Sequence, residues 1–240
     1  MTTLVSPQQT VGALVAEHSP RAKVFENHRI DYCCGGKLPL EEACQRRGVE
    51  LQTVLEELAE CDARANSTGS ADWTTAPLNA LIDNIVTTHH AYLTEELPRI
   101  AMLLEKAARV HGTNNPELVE MQGIFGEFRA ELEEHALKEE RILFPWIRLI
   151  ESGRTNDAFA PGASIAQPIH CMETEHDDAG NALEKFRELS NGYVPPDHAC
   201  NTWRVLYASL AALEADMHVH VHKENSILFP RAIEAEARTR

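Results

Sequence analysis

Two segments of the chain repeat one another, and each carries a pair of residues that can bind a metal ion. Residues 135–145 read HALKEERILFP and residues 220–230 read HVHKENSILFP, with identical residues at seven of the eleven positions. Each copy opens with a histidine and has a glutamate four residues later, His135 with Glu139 and His220 with Glu224. Residues four apart on a helix project from the same face, so each pair can point into one core.

A further histidine precedes each copy at nearly the same distance. His90 lies 45 residues before the first copy, His176 lies 44 residues before the second, and a threonine stands two residues ahead of each histidine. This spacing predicts two related helical hairpins, each with one histidine on its first helix and a His/Glu pair on its second. His89 adjoins His90, but the hairpin spacing favours His90 as the functional residue.

The chemistry of this set favours iron. Four imidazoles and two carboxylates are too many ligands for a closed tetrahedral zinc site, whereas imidazole with carboxylate suits iron, and a carboxylate can bridge two ions. A single His/Glu pair four residues apart is usually a solvated ion pair, but its duplication in matched positions favours metal binding. We therefore predict two iron ions bridged by carboxylates and by an oxo or hydroxo group, with the ligands His90, His135, Glu139, His176, His220 and Glu224.

The elements that would position these residues are helices. Long helical patterns cover residues 78–110, 116–150, 164–190 and a last stretch that begins near Asp197, and no convincing strand pattern is found. The pattern predicts an all-α protein in which residues 76–240 form an antiparallel four-helix bundle. Ahead of it, short helices at 7–17, 20–28, 39–48 and 50–62 predict a small N-terminal domain over residues 1–62, and residues 63–75 form a small, polar linker.

A pair of adjacent cysteines occupies a tight turn in this N-terminal domain. Cys33 and Cys34 are followed by two glycines and by Lys37, close to the start of the next helix. That position favours the thiolate form, so both are candidate reactive thiols for redox exchange or for accepting iron or nitric oxide, on an arm that docks near the metal centre. The alternative is two small buried apolar residues, since free cysteine is among the most buried residue types.

The overall charge narrows the range of partners. The 240 residues include 37 Asp+Glu against 22 Lys+Arg, a net charge of −15, which argues against nucleic acid and anionic membranes as partners. No apolar run is long enough to span a membrane, and residues 1–15 lack the pattern of a secretory signal, so we expect a cytoplasmic protein with reduced cysteines.

Taken together, these motifs resemble those of the repair of iron centres proteins, which join a cysteine-containing N-terminal domain of the ScdA type to a hemerythrin-like di-iron bundle. The resemblance spans nearly the whole chain. It is carried by DYCCGGK at 31–37, by His90 ahead of ELP at 96–98, by ETEHD at 173–177, and by the two repeated segments. By this likeness the metal ligands fall on the same six residues.

The resemblance implies repair of iron–sulfur clusters damaged by nitric oxide or peroxide. The partners would be damaged iron–sulfur proteins, with nitric oxide or O2 as small ligands. Two other functions stay open, a nitric oxide reductase or scavenger in its own right, and an O2 carrier or sensor of the hemerythrin type. The cysteine-containing domain argues against the O2 carrier, because a simple carrier needs no thiols. The acidic composition is also compatible with a homodimer.

Overall fold

The computed structural model describes residues 5–64, 72–154 and 164–239, and its regular structure is helical. Within these ranges 78% of the chain is helix and no strand occurs, which confirms the all-α prediction. Most of the predicted linker (residues 65–71) and most of the segment between the predicted helices at 116–150 and 164–190 (residues 155–163) lie outside the described residues. No helix in the described part is long and apolar enough to cross a membrane.

The α-helices follow the sequence pattern closely. Their bounds are α1 Val11–Glu17, α2 Ala22–Asn27, α3 Leu40–Arg47, α4 Leu51–Arg64, α5 Leu78–Asn84, α6 Ala91–His111, α7 Pro116–Lys138, α8 Phe144–Glu151, α9 Ala166–Leu189, α10 Asn201–His222 and α11 Phe229–Thr239. The fourth long helix begins later than predicted, at Asn201 instead of near Asp197. The reason is a turn ahead of it, in which the Ala199 N–H bonds the Pro196 carbonyl at 2.9 Å.

The chain divides into two compact units, one formed by Ile82–Met217 and the other by Met1–Leu81 together with His218–Arg240. In the first unit α6 packs against α7, and α7 against α9. Two partly buried hydrogen bonds connect α10 to α6 and α9. Arg99 on α6 bonds Ser209 at 2.7 Å, and Arg187 on α9 bonds Glu214 at 2.6 Å. This unit is the core of the predicted four-helix bundle.

Three π-helical segments interrupt the α-helices among the described residues, and sequence analysis did not anticipate them. They are Ile85–His90, Glu139–Leu143 and Lys223–Leu228, and each contains one of the predicted ligands, His90, Glu139 or Glu224. Pro145 and Pro230 each lie at the second residue of the α-helix that follows a π segment. Because proline has no N–H to donate, the helical ladder must adjust just before it.

The second unit combines α1–α4 with the C-terminal segment from His218. α1 packs against the π segment Lys223–Leu228. The Gly12 N–H bonds the Gly36 carbonyl at 2.9 Å. A Cβ on Gly36 would lie 2.7 Å from the Tyr32 carbonyl oxygen and 3.1 Å from Ser226 Oγ, so the close approach of these segments requires glycine there.

Candidate metal centre

Four of the predicted ligands come together inside the first unit, Ile82–Met217. His90 ends the first π segment, His135 lies on α7, Glu139 begins the next π segment, and His176 lies on α9. All four side chains are buried, and the exposed fraction of Glu139 is 0%. The ligand atoms of His135, Glu139 and His176 lie within 4.8 Å of one another. Three histidines and a carboxylate are thus drawn from different helices into one core.

The Glu139 carboxylate lies between two imidazole rings. Its Oε2 is 3.3 Å from Nε2 of His90, and its Oε1 is 3.5 Å from Nε2 of His135. Burying a carboxylate is costly unless a cation or donors compensate for its charge. A buried carboxylate that presents one oxygen to each of two imidazoles can supply ligands for a cation together with them.

His135 and His176 also face one another through ring nitrogens. Their Nε2 atoms are 3.0 Å apart, and the two ring centroids are 4.7 Å apart. Only one proton fits between two nitrogens at this distance. A pair of imidazole Nε2 atoms that converge beside a buried carboxylate is suited to share a metal ion.

In two of these rings, the nitrogen that points away from the centre, Nδ1, bonds an acidic residue. His90 Nδ1 bonds Glu140 at 2.8 Å, and His135 Nδ1 bonds Glu175 at 2.7 Å. A carboxylate accepts hydrogen bonds, so each Nδ1 carries the proton and each Nε2 offers its lone pair to the centre. Outer partners of this kind orient metal-binding histidines and raise their basicity.

Glu175 is itself held in its ionised form. Burial opposes ionisation, but hydrogen bonds from Lys138, whose Nζ lies 2.8 Å away, and from His135 outweigh it and lower the pKa of Glu175. The sequence gives no separate signal for Glu140, because it adjoins Glu139.

The other predicted pair lies in the second unit. His220 lies in the last turn of α10, and Glu224 lies in the π segment that follows. His220 Nε2 and Glu224 Oε1 are 3.1 Å apart, and both side chains are buried. His222 is buried too and packs edge-on to Tyr32 with ring centroids 5.5 Å apart. Burial lowers the pKa of His222 to about 4, which keeps its ring neutral.

Cys33 and Cys34 lie together in the second unit, with their Sγ atoms 3.9 Å apart. Cys33 is buried and Cys34 is half-buried. The hydrogen bond to Cys34, burial and the Asp31 carboxylate all raise the pKa of the Cys33 thiol well above its usual range. The prediction that this position favours thiolate is therefore wrong for Cys33, because the hydrogen bond with Cys34, burial and the nearby Asp31 carboxylate all favour the neutral thiol.

The helical fold and the buried His/Glu set define a metal-binding helical bundle with a separate thiol-bearing domain. Comparison with known families agrees. The ScdA_N family, described as a domain of unknown function, matches residues 7–62, and the hemerythrin HHE cation binding domain matches residues 81–232.

Curated relatives share both domains. The chain is 38% identical to the iron-sulfur cluster repair protein YtfE of Pectobacterium atrosepticum, over 95% of this chain and 98% of the relative. It is 37% identical to the proteins of the same name from Musicola paradisiaca and Yersinia pseudotuberculosis, again over at least 95% of this chain and 98% of each relative. The chain belongs to this family of iron-sulfur cluster repair proteins with a hemerythrin HHE domain, which confirms the resemblance found in the sequence.

Proposed function

We propose that the protein holds two iron ions in its helical bundle and repairs iron–sulfur clusters damaged by nitrosative or oxidative stress, in the cytoplasm. The observation that carries this proposal is the Glu139 carboxylate, whose two oxygens face the Nε2 atoms of two different histidines at 3.3 and 3.5 Å. The names of the relatives support repair as the activity, and the HHE match supports cation binding.

In this proposal His90, His135 and His176 are terminal ligands and Glu139 is a bridge. The sequence repeat adds His220 as a fourth terminal ligand and Glu224 as a second bridge, because they occupy the positions of His135 and Glu139 in the other copy. When bound, an iron pair supplies redox chemistry and a place for a small ligand such as nitric oxide or O2.

The chain's own residues set how tightly the iron is held. Imidazole and carboxylate ligands hold ferrous iron less tightly than a cage of thiolates, which makes release to a damaged cluster feasible. Glu140 and Glu175 oppose that release, because they fix the rings of His90 and His135 in the orientation that binds metal. The damaged iron–sulfur proteins are the partners of this reaction, and Cys33 and Cys34 are the candidate thiols that assist it.

Two assays on the same preparation test the proposal. An iron–sulfur enzyme is inactivated with nitric oxide and then incubated anaerobically with the iron-loaded protein, while N2O is measured in parallel. We expect the enzyme's activity to recover with wild-type protein and not with Glu139→Ala. Steady production of N2O without recovery of the cluster would contradict repair and identify a nitric oxide reductase instead.

The thiols are tested in the same assay. The double variant Cys33→Ser/Cys34→Ser is expected to keep its iron and to lose most of its repair activity, whereas Cys200→Ser, at an exposed cysteine, is expected to match wild type. Unchanged repair by the double variant would remove the two thiols from the proposal.

A further inference from the structure

The turn that carries the two cysteines also brings a carboxylate against them. Asp31 Oδ1 accepts the backbone N–H groups of Cys33 and Cys34, both at 3.0 Å, and Oδ2 accepts that of Gly35 at 2.8 Å. The aspartate side chain thereby folds back over its own turn, as Asp often does in loops. As a result Oδ1 also lies 3.2 Å from Cys33 Sγ.

The three side chains are spaced like ligands of one metal ion. The two Sγ atoms are 3.9 Å apart, and ligand atoms of Asp31, Cys33 and Cys34 all lie within 4.8 Å of one another. In a tetrahedral site with metal–sulfur bonds of about 2.3 Å and metal–oxygen bonds of about 2.1 Å, neighbouring sulfurs are about 3.8 Å apart and sulfur and oxygen about 3.6 Å. The turn therefore already approaches the arrangement of three corners of a tetrahedron.

We propose that Asp31, Cys33 and Cys34 form a metal site separate from the iron centre, which takes a thiophilic divalent ion such as Fe²⁺ or Zn²⁺. Thiolate ligands select such ions over Mg²⁺ or Ca²⁺. Three protein ligands leave one tetrahedral position for solvent or an incoming ligand, as in catalytic zinc sites, whereas structural zinc sites use four protein ligands. The half-buried Cys34 and the exposed Asp31 give an ion access to the buried Cys33.

The charges of the turn also favour a cation. Two thiols and a carboxylate crowd together, and this crowding is part of what raises the pKa of the Cys33 thiol. A bound divalent cation favours the thiolate form instead of the thiol, because each coordinating thiol releases its proton to solvent and the metal neutralises the resulting negative charges.

The rest of the second unit holds this turn in place. Asn225 donates from Nδ2 to the Cys33 carbonyl at 3.3 Å, and Ser226 approaches Gly36. Both residues belong to the π segment that carries Glu224. The site is thus anchored on the segment that supplies a proposed iron ligand, although metal binding at the turn does not depend on the proposed repair function.

The test is a titration of the full-length, iron-loaded and reduced protein with Co²⁺ under anaerobic conditions. We expect about one equivalent of Co²⁺ per chain to bind with intense thiolate-to-cobalt charge-transfer absorption and the visible bands of a tetrahedral ion. The bundle's histidines and glutamates contain no sulfur, so Co²⁺ that replaces iron there gives no such charge transfer.

Variants assign the signal to the turn. Cys33→Ser and Cys34→Ser should each lose most of the charge-transfer absorption, and Asp31→Asn should weaken Co²⁺ binding at least tenfold, while Cys200→Ser should behave as wild type. Iron content and circular dichroism, measured on every variant, separate this result from loss of the bundle centre or of folding. If Cys33→Ser does not fold, the spectrum of Cys34→Ser, which changes the half-buried cysteine, shows whether the turn binds the ion. The absence of thiolate charge transfer in wild type, or its persistence in the cysteine variants, would overturn the proposal.

Discussion

Glu175 on α9 accepts a hydrogen bond from Nδ1 of His135 on α7 at 2.7 Å. This bond joins two helices of the bundle and fixes the proton of the His135 ring on the side away from the candidate metal centre. Glu140 bonds His90 Nδ1 at 2.8 Å in the same way. Two histidines are therefore oriented for metal binding by residues that do not themselves face the centre.

Removing either outer carboxylate should weaken metal binding while the ligands stay intact. Glu175→Gln and Glu140→Gln are each expected to lower iron affinity by about 10- to 100-fold, as loss of such partners does in other metal sites. The measurement is competition for iron with a chelator of known affinity.

Glu134→Gln is the matched control, because Glu134 is exposed and contacts the same Lys138 as Glu175 does, at 3.2 Å. Its iron affinity should equal that of wild type. Equal affinities for all three variants would show that the outer hydrogen bonds do not support the centre.

The glycine turn next to the cysteines makes a prediction about stability. Gly36→Ala should destabilise the protein by about 1–3 kcal/mol, because its new Cβ would meet the Tyr32 carbonyl oxygen at 2.7 Å. Gly126→Ala on α7 is the control, since nothing lies within 4 Å of its added Cβ, and it should stabilise by about 0.5–1 kcal/mol. Urea denaturation measures both, and destabilisation of similar size in the two variants would contradict the close approach at Gly36.

A partly buried ion pair predicts how the stability depends on pH. Arg21 Nη2 bonds Asp62 Oδ2 at 2.7 Å, and His18 Nδ1 bonds Oδ1 at 2.8 Å. Burial of Asp62 opposes its ionisation, but the bonds from Arg21 and His18 outweigh burial and lower the pKa of the carboxyl. A carboxyl whose pKa is lower in the folded than in the unfolded state stabilises the fold above its unfolded pKa of about 4, and this stabilisation is lost as the pH falls further.

Asp62→Asn should therefore cost about 1–3 kcal/mol of unfolding free energy near neutral pH and flatten the loss of stability in acid. Unfolding by urea at a series of pH values checks this. Glu57→Gln, at a more exposed carboxyl that bonds His28 at 2.9 Å, should change stability by no more than about 0.5 kcal/mol. An acid profile for Asp62→Asn that parallels wild type would show that Asp62 contributes nothing to it.

Much of this arrangement could be predicted because it is local in the sequence. The helices follow from apolar spacing, such as Leu93, Leu97, Ile100 and Leu104 along one buried face of α6. The spacing of His135 and Glu139 by four residues places both on one helix face, and the repeat points to their counterparts. The structure brings together four of the six predicted ligands in one unit and the remaining pair in the other.

What sequence analysis missed depends on contacts between distant segments or on one-residue shifts in hydrogen bonding. The π segments at Glu139 and Glu224 leave no mark in apolar spacing, and only the prolines that follow them, Pro145 and Pro230, point to a change in the hydrogen-bond ladder. The grouping of His218–Arg240 with the N-terminal helices is equally non-local. By contrast, the role of Asp31 could have been found, since an aspartate two residues before a cysteine-glycine turn commonly bonds the backbone ahead of it.

The most direct test of this account is the metal content of the purified protein beside that of Glu139→Ala. Elemental analysis, with the protein concentration from amino-acid analysis, should find about two iron ions per wild-type chain and clearly fewer in the variant, because a carboxylate that faces two imidazoles can bridge two ions. One metal ion per wild-type chain, zinc in place of iron, or an unchanged iron content in Glu139→Ala would contradict it.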